Sequence, residues 1–300
     1  MNSRVVAVTV TYNPGESVLA QVSALASQVY RVLIVDNGSG GAGETLLRSW
    51  RGENVELMFL GRNFGIGIAH NAGIRRAREI GATHVLLLDQ DSTPHQDMVK
   101  ELLAAEAKLL ARGKKVGALG PVFHDSRLAK SWPFYRMSRF GIRPHPCAGQ
   151  DVIACDFLIS SGTLARLSAI DEIGLINEGY FLEHVDTEWS LRARHRGYAL
   201  FGVCAARMDH TLGDDTVNVP LSDRRVQLYQ PYRHYYLFRN AALLWREEYA
   251  ALPWKLNEIR RLLARLVFFP LFVAPRIQRL RFMLLGLWHG ILGRTGPLRP

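Results

Sequence analysis

Cysteine is scarce in this chain of 300 residues, and its placement excludes several classes of protein. The three cysteines are Cys147, Cys155 and Cys204, and no two of them form a C-x-x-C pair. The sequence therefore holds no zinc-knuckle pattern, and a small, odd number of thiols argues against a disulfide framework. We expect all three cysteines to be reduced and the protein to be cytoplasmic.

Long apolar runs are also missing. The nearest approach, residues 262–274, is shorter than the roughly 20 residues that a membrane-spanning helix needs, and it contains Arg265 and Pro270. The opening stretch MNSRVVAVTVTYNP alternates apolar residues with threonine and carries no cleavage-site pattern, so it does not predict a signal peptide. We find no internal repeat and no low-complexity segment.

Acidic residues are absent from residue 260 to the end, in a chain whose net charge is +10 and whose pI is about 9.8. Such a charge favours nucleic acid, an acidic membrane surface or a phosphorylated substrate as a partner. The arginines of the C-terminal segment alternate with apolar residues at helical spacing, and no RNA- or DNA-binding motif accompanies them. We therefore expect no nucleic acid partner.

Basic amphipathic helices that carry Trp and Phe are typical of proteins that bind anionic membrane surfaces. We predict that residues 246–300 form such an appendage, lying peripherally on the inner face of the cytoplasmic membrane. The alternative is that both helices pack on the rest of the chain or on a second subunit. The apolar positions are Ile259, Leu262, Leu263, Leu266, Val267, Ile277, Leu280, Leu284, Leu287, Trp288 and Ile291, and the basic ones are Arg260, Arg261, Arg265, Arg276, Arg279 and Arg281.

Short apolar strands alternate with amphipathic helices in the first half of the chain. The predicted strands are VVAVTVTY, RVLIVDNGSG, VELMFLGRN and THVLLLDQDS. This alternation predicts an α/β fold with parallel strands covered by helices, and ligands then bind at the carboxyl ends of the strands. All four strands end in polar residues: Asn13, Asp36, Asn37, Asn63, Asp89 and Asp91.

Asp89 and Asp91 follow a buried strand and are one residue apart. Carboxylate oxygens are preferred ligands of hard divalent cations such as Mg²⁺ or Mn²⁺. The same stretch, DQDSTP, is also a good turn or helix start, because Asp and Ser favour both. These two residues alone leave both interpretations open.

The motifs VTVTYN, IVDNGS, RNFGIGIAHNAGI and LLLDQDS resemble, in order and spacing, the nucleotide-binding half of family-2 inverting glycosyltransferases with the GT-A fold. The later motifs FLISSGT, FLEHVDTEWSLR, MDHTLGD and YYLFRN are similar to bacterial L-rhamnosyltransferases of the rhamnolipid and O-antigen type. The resemblance implies a catalytic domain over residues 1–245, with a mixed sheet flanked by helices. It implies inverting transfer of L-rhamnose from dTDP-L-rhamnose to a glycolipid or lipid-linked saccharide.

The resemblance also implies roles for individual residues. The metal, Mg²⁺ or Mn²⁺, would be held by Asp89, Asp91 and His210, and the acceptor side would include Ser161, Gly162 and Glu188. Residues expected to contact the nucleotide sugar are Thr11, Asn13, Asp36, Asn37, Asn63, Gly65, Asn71, Asp89, Gln90, Arg239 and Asn240.

The base that accepts the proton of the acceptor hydroxyl would be Asp186. The family pattern is Glu-Asp-x-Asp; here Val185 replaces the first Glu, and Glu188 takes the place of the second acid. A helix N-terminus whose dipole stabilises acids is the alternative for this stretch. Other functions considered are transfer of a different sugar, a sugar nucleotidyltransferase and a non-catalytic binding protein. TYNPGES lacks the Gly-rich G-x-G-x-R loop of nucleotidyltransferases, and a non-catalytic chain would have a broken set of acids.

Overall fold

The computed structural model describes residues 3–125, 130–138, 141–210, 215–218 and 225–298. The strands are β1 (Val5–Thr11), β2 (Arg31–Asp36), β3 (Val55–Phe59), β4 (His84–Asp89), β5 (Ser92–Pro94), β6 (Val116–Asp125), β7 (Lys130–Ser131), β8 (Phe134–Ser138), β9 (Gly141–His145), β10 (Val152–Cys155), β11 (Thr163–Arg166), β12 (Ala199–His210), β13 (Asp215–Asn218) and β14 (Arg225–Leu228). The helices are α1 (Ser17–Ala26), α2 (Gly41–Arg48), α3 (Ile66–Glu79), α4 (Met98–Ala111), α5 (Leu167–Ile173), α6 (Val185–His195), α7 (Arg233–Leu244), α8 (Leu252–Phe272) and α9 (Arg276–Ile291).

A central mixed sheet has the strand order β10-β12-β6-β11-β4-β1-β2-β3. The four N-terminal strands pair in parallel, as their alternation with helices predicts. β11 lies antiparallel between β4 and β6, whereas β12 runs parallel to β6. The prediction of a mixed α/β sheet flanked by helices is confirmed.

Apolar side chains of successive strand residues enter cores on opposite faces of the sheet, as the two-residue repeat of a strand requires. In β1, Val6 and Val8 join the core beneath α3 and α6, whereas Val5 and Ala7 join the core beneath α1 and α4. Both faces of β1 are therefore buried, and only the ends of the strands are left to form a site.

Cys147 and Cys204 form a disulfide, so the expectation of three reduced thiols is wrong for these two. They lie 57 residues apart in sequence, and their Cα atoms are 5.8 Å apart. Their approach depends on the antiparallel pairing of β10 with β12, which the spacing of cysteines does not reveal. Cys155 is a buried free thiol. The cytoplasmic location therefore loses the support that we drew from cysteine.

The C-terminal helices pack against the rest of the chain on one face. Gly286 and Gly290 of α9 lie against the backbone of α7, where an added Cβ would come within 2.5 Å of Tyr235 or Arg239. Within the described ranges, no helix has both the length and the apolar character needed to cross a membrane. The boundary predicted at residue 245 stays a prediction, although Trp254 of α8 belongs to the core beneath α3 and α6.

Candidate active site

A cleft of about 780 Å³ lies at the carboxyl ends of β1 and β4, where the sheet meets the loop before α6. The register of the sheet places Asp89 opposite Val10 and Thr11 opposite Asp36, so the ends of three parallel strands are level. The cleft is lined by Val10, Thr11, Tyr12, Asn37, Asn63, Gly65, Ile66, Asp89, Gln90, Asp91, Ile159, Ser160, Phe181, Leu182, Glu183, His184, Val185, Asp186, Tyr232 and Arg233.

Asp89 and Asp91 both reach the cleft, and the backbone around them is fixed by side chains from elsewhere. The amide N–H of Asp89 donates to the Ser161 hydroxyl at 3.1 Å. Between the two acids, the Gln90 side chain accepts from the backbone N–H of Tyr12 at 2.8 Å. The stretch after Asp91 continues as the short strand β5, which pairs with β12. Gln90 and Asp91 thus form a turn between β4 and β5, with Asp89 and Asp91 both at the cleft.

Asn37, Asn63 and Gly65 form a second wall of the cleft. The Asn37 amide group donates to Asn63 at 3.1 Å and accepts from the N–H of Phe64 at 2.9 Å. Gly65 has a φ of 95°, and a Cβ at this position would lie 2.7 Å from Phe181. Glycine is required here because the two loops approach each other so closely.

Asp36 and Asn13, both expected to contact the donor, are used within the protein and do not line the cleft. The buried Asp36 carboxylate accepts from the hydroxyls of Thr11 and Ser39 at 3.1 and 2.5 Å, and from the Ser39 N–H at 2.8 Å. Asn13 accepts from the N–H of Gly40 at 3.2 Å. Asn37, immediately after Asp36, is the residue of this strand end that faces the cleft.

The loop before α6 presents Asp186 to the cleft, and its backbone is unusual. Phe181, Glu183 and His184 have φ values of 58–60°, a region that costs non-glycine residues about 1 to 3 kcal/mol each. Phe181 stacks on Tyr236 with ring centroids 4.9 Å apart. Such strain persists only where surrounding contacts hold it, and here they fix the start of α6.

Arg239 and Asn240, which we expected to contact the donor, supply those contacts. Arg239 is fully buried, and its guanidinium donates to the carbonyl oxygens of Tyr180 (2.7 Å) and Gly296. The Asn240 amide donates to the carbonyls of Tyr180 and Glu183 at 2.9 and 2.8 Å. Both residues hold the strained loop from behind and lie outside the cleft lining.

Asp186 lies in the first turn of α6, and the other acid of its motif is turned away. The Asp186 carboxylate accepts from the Thr187 N–H at 2.7 Å. Burial raises the pKa of Asp186, and the lowering effects of Thr187 and His184 do not cancel this. Glu188 is buried in a bidentate pair with Arg192 at 2.8 and 3.0 Å and accepts from Tyr249, so the structure does not place it on the acceptor side of the cleft.

The remaining predicted residues are divided between the cleft and its supports. Asn71 is buried and bonds the backbone of Ile176, so it ties α3 to the segment before α6 rather than facing a ligand. Ser161 lines a small cavity beside Asp186, while Gly162 has a φ of 82° and lies against Pro121. The backbone of His210 pairs with Ser92, but its side chain lies outside the described atoms.

The sequence analysis missed more than half of the cleft lining, including the polar or aromatic residues Tyr12, Ser160, Glu183, His184, Tyr232 and Arg233. Tyr12 could have been predicted from the sequence, because it lies at a strand end between Thr11 and Asn13, which were both predicted as site residues. Arg233 opens α7, and its Nε donates to Glu183 at 2.6 Å. The motif YYLFRN directed attention to Arg239, six residues further along the same helix, whose side chain is buried and bonds the loop before α6.

Residues 6–150 match the sequence model of glycosyl transferase family 2. The chain is 32% identical over 302 aligned residues to the dTDP-rhamnosyl transferase RfbF of Shigella flexneri, covering 99% of this chain and 98% of the relative. The chain belongs to glycosyltransferase family 2. It is also 26% identical, over 72% of its length and 78% of the relative, to an N-acetylglucosaminyl-diphospho-decaprenol L-rhamnosyltransferase of Mycobacterium tuberculosis.

Solved structures of other glycosyltransferases share the fold of this family-2 enzyme. S. aureus TarS 1-349 in complex with UDP-GlcNAc superposes with a TM-score of 0.59 at 16% identity, over 96% of this chain and 81% of that one. GalNAc-T7 with UDP, GalNAc and Mn²⁺ also gives a TM-score of 0.59, at 14% identity, over 82% of this chain and 49% of the other. The GT-A architecture expected from the motifs is confirmed by these neighbours.

The carboxylates at the cleft are suitable ligands for a hard divalent cation. Among the described side chains, no group of three or more His, Cys, Asp and Glu is arranged as a metal site. A cation that binds a nucleotide sugar needs fewer protein ligands, because substrate phosphates and waters complete its coordination. Asp89 and Asp91 on one wall of an open cleft meet that requirement.

The two arginines of α7 should respond differently to substitution. Arg239→Met removes the charged donor that bonds the carbonyls of Tyr180, Gly179 and Gly296, and we expect the free energy of unfolding to fall by about 3 kcal/mol. Arg233→Gln removes a partly exposed pair and should change stability by under about 1 kcal/mol, while weakening ligand binding in the cleft. Urea unfolding and dTDP titration check both. Equal stability losses in the two variants would contradict the assignment.

Proposed function

We propose that this family-2 enzyme transfers L-rhamnose from dTDP-L-rhamnose to a glycolipid or lipid-linked saccharide, with inversion at the anomeric carbon. The observation that carries the proposal is that one cleft holds both the Asp89/Asp91 pair and Asp186. The first suits a nucleotide diphosphate and its cation, and the second suits a proton acceptor. The full-length similarity to a dTDP-rhamnosyl transferase supports dTDP-L-rhamnose as the donor. The similarity to an N-acetylglucosaminyl-diphospho-decaprenol L-rhamnosyltransferase supports a lipid-linked saccharide as the acceptor.

Inversion is proposed because one carboxylate in the cleft has the surroundings of a base. Asp186 accepts the proton of the acceptor hydroxyl as that oxygen bonds to the anomeric carbon, and the bond from that carbon to the dTDP oxygen breaks in the same step. Raised by burial, the pKa of Asp186 makes it a stronger base than an exposed aspartate. A single displacement leaves the new glycosidic bond on the opposite face of the sugar.

Asp89 and Asp91 would hold Mg²⁺ or Mn²⁺, which when bound neutralises the charge that develops on the departing diphosphate. Arg233, which is paired with Glu183, adds a fixed positive charge to the wall of the same cleft. Tyr12 and Tyr232 are about half exposed at the mouth of the cleft, where aromatic rings can cover a bound base or sugar.

A donor panel tests the proposed function. The enzyme is incubated with divalent metal and one of several dTDP- or UDP-activated sugars, and release of the free nucleotide diphosphate is measured with and without lipid extracts as acceptor. We expect release from dTDP-L-rhamnose to exceed release from any other donor by at least tenfold. Preference for a UDP-sugar would overturn the choice of rhamnose, and retention of the anomeric configuration, read by NMR of the product, would overturn inversion.

The C-terminal helices supply a surface for the proposed membrane contact. One face of α8 and α9 packs on the protein, and the other carries apolar side chains that are half or more exposed, with the exposed arginines Arg260, Arg276 and Arg281 beside them. The exposed apolar residues are Leu252, Leu256, Leu263, Val267, Leu271, Phe272, Ile277, Leu284, Trp288 and Ile291. An apolar stripe bordered by arginines complements an anionic lipid surface, and the inner leaflet carries negative potential.

Liposome sedimentation should detect this contact. We expect the parent to bind phosphatidylglycerol vesicles at low salt and to be released by salt. Leu263→Glu should weaken binding at least tenfold, because it places a carboxylate in the stripe. Leu110→Glu, an exposed leucine on the distant α4, is the matched control and should bind as the parent does. If the parent does not bind at low salt, the stripe serves another purpose.

A further inference from the structure

A second pocket, of about 260 Å³, opens beside Asp186 and is distinct from the part of the cleft that holds Asp89 and Asp91. It shares Glu183, His184, Asp186 and Arg233 with the main cleft, so the two are continuous at the proposed base. It includes none of Asp89, Gln90 or Asp91. The additional lining residues are Thr187, Tyr229, His234, Leu237, Arg261, Arg265 and Phe269.

Three guanidinium groups converge on this pocket from two helices. Arg233 comes from the start of α7, while Arg261 and Arg265 come from successive turns of α8 and so share one face of that helix. Burial, with the charges of Arg279, Arg265 and Arg233, lowers the pKa of His234 to about 3, so this imidazole is neutral and does not add to the positive charge.

The arginines are only partly satisfied by the protein. Glu183 accepts from Arg233 at 2.6 Å, and the buried Glu258 accepts from Arg261 at 3.2 Å. Arg265 comes no closer than 4.0 Å to Glu258, and its buried Nη1 has no hydrogen-bond partner among the described residues. An unpaired buried donor is costly, and such a group in a native pocket indicates a missing acceptor.

The charge of Arg265 also indicates a missing anion. Burial, followed by repulsion from Arg261, lowers the pKa of Arg265 against the attraction of Glu258. An anion in the pocket would relieve both effects, because it supplies acceptors and a compensating charge to guanidiniums that have unused N–H donors. A phosphate group suits this arrangement, since its several oxygens can accept from more than one arginine.

We propose that this pocket binds the phosphate or diphosphate group of the acceptor while the acceptor's hydroxyl lies at Asp186. The inference rests on the proposed function, and it narrows the acceptor to a saccharide attached to lipid through phosphate. The position of the pocket supports this assignment: Arg261, Arg265 and Phe269 lie on one face of α8, and the exposed apolar stripe lies on another face of the same helix. The helix α8 thus contributes both to the pocket and to the surface proposed to contact lipid.

Calorimetric titration of the full-length protein with geranyl diphosphate tests the proposal. Saturating dTDP and metal are present throughout, so that the donor site is filled. We expect binding of geranyl diphosphate and, more weakly, of geranyl monophosphate, whereas geraniol binds at least tenfold more weakly than the diphosphate. Arg265→Gln and Arg261→Gln should each reduce affinity for the diphosphate about tenfold or more, which is the loss of one hydrogen bond to a charged group.

Arg112→Gln is the matched control, because Arg112 is exposed at the C-terminal end of α4 and lies outside both the pocket and the apolar stripe. It makes the same change of charge and should leave the affinity within twofold. Equal losses in all three variants would reduce the effect to net charge, and equally tight binding of geraniol would reduce it to the isoprenoid chain; each result overturns the proposal. In a separate competition experiment begun without dTDP, displacement of geranyl diphosphate by added dTDP also overturns the proposal, since the probe would then occupy the donor site.

The outcome can be separated from that of the donor panel. If rhamnose is not the sugar transferred but geranyl diphosphate still binds in an Arg265-dependent way, the pocket assignment stands and only the donor is wrong. If rhamnose transfer is confirmed and geranyl diphosphate does not bind, the pocket assignment fails alone. If Arg265→Gln fails to fold, Arg261→Gln still tests the pocket, because the Arg261 side chain is 48% exposed and its replacement should be tolerated.

Discussion

Asp186→Asn should lower kcat by about 10²- to 10⁴-fold and leave the affinity for dTDP close to that of the parent. Asparagine keeps the shape and polarity of the side chain but cannot accept the hydroxyl proton. The nucleotide is expected to bind near Asn37 and the Asp89/Asp91 pair, which the substitution does not touch. Calorimetric titration with dTDP and steady-state kinetics with dTDP-L-rhamnose separate binding from turnover.

Glu183→Gln is the matched control for Asp186→Asn. Glu183 lines the same cleft, but its carboxylate is held by Arg233 at 2.6 Å and is poorly placed to take a proton. We expect Glu183→Gln to keep most of the turnover. If Glu183→Gln abolishes turnover and Asp186→Asn does not, the base has been assigned to the wrong carboxylate. Glu188→Gln should chiefly lower stability, since it breaks a buried pair with Arg192.

The pH dependence of turnover provides a second test of the base. Burial raises the pKa of Asp186, so the protonated form persists to a higher pH than in an exposed aspartate. Because only the carboxylate can accept a proton, kcat should rise with pH through this raised pKa and be lost as pH falls below it. An ordinary aspartate has a pKa near 3.9. The acid limb of the kcat profile should therefore lie at a higher pH than that. It should remain in Glu183→Gln and disappear from the residual rate of Asp186→Asn.

Local patterns predicted the half of the site that strand ends provide. A strand's apolar repeat and the polar residue that stops it are adjacent in sequence, so Asn37, Asn63, Asp89 and Asp91 could be placed at one edge of the sheet before its strand order was known. Parallel strands joined by helices must bring their carboxyl ends together. The first four strands agree with the prediction for this reason.

The helical half of the site could not be predicted in the same way. Whether an arginine on α7 faces the cleft depends on how α9 packs behind it, and that packing is set by Gly286 and Gly290, far along the chain. For this reason the sequence analysis predicted that Arg239, which is fully buried, contacts the nucleotide sugar, and it missed Arg233. The disulfide between Cys147 and Cys204 was missed on similar grounds, because it depends on the pairing of β10 with β12.

The prediction for the C-terminal helices was limited by treating apolar residues as one face. In α8, Leu262 is buried against the protein, but its neighbour Leu263 is 59% exposed. Two apolar faces therefore exist, one for packing and one that is exposed, and the arginines between them are not equivalent. Arg279 is buried against His234, and Arg265 enters a pocket, whereas Arg260 remains exposed. Only tertiary structure distinguishes these three environments.

Asp91→Asn should reduce turnover about 10³-fold or more, because removing a carboxylate weakens the site that would hold the cation beside the leaving diphosphate. Excess chelator should have the same effect on the parent, and added Mg²⁺ or Mn²⁺ should reverse it. Affinity for dTDP supplies a readout apart from turnover: metal should tighten dTDP binding to the parent and have little effect on Asp91→Asn. Asp97→Asn is the matched control, since Asp97 is an exposed acid at the start of α4 that lies outside the cleft. Full turnover in excess chelator would contradict the proposed role of a cation at the Asp89/Asp91 pair.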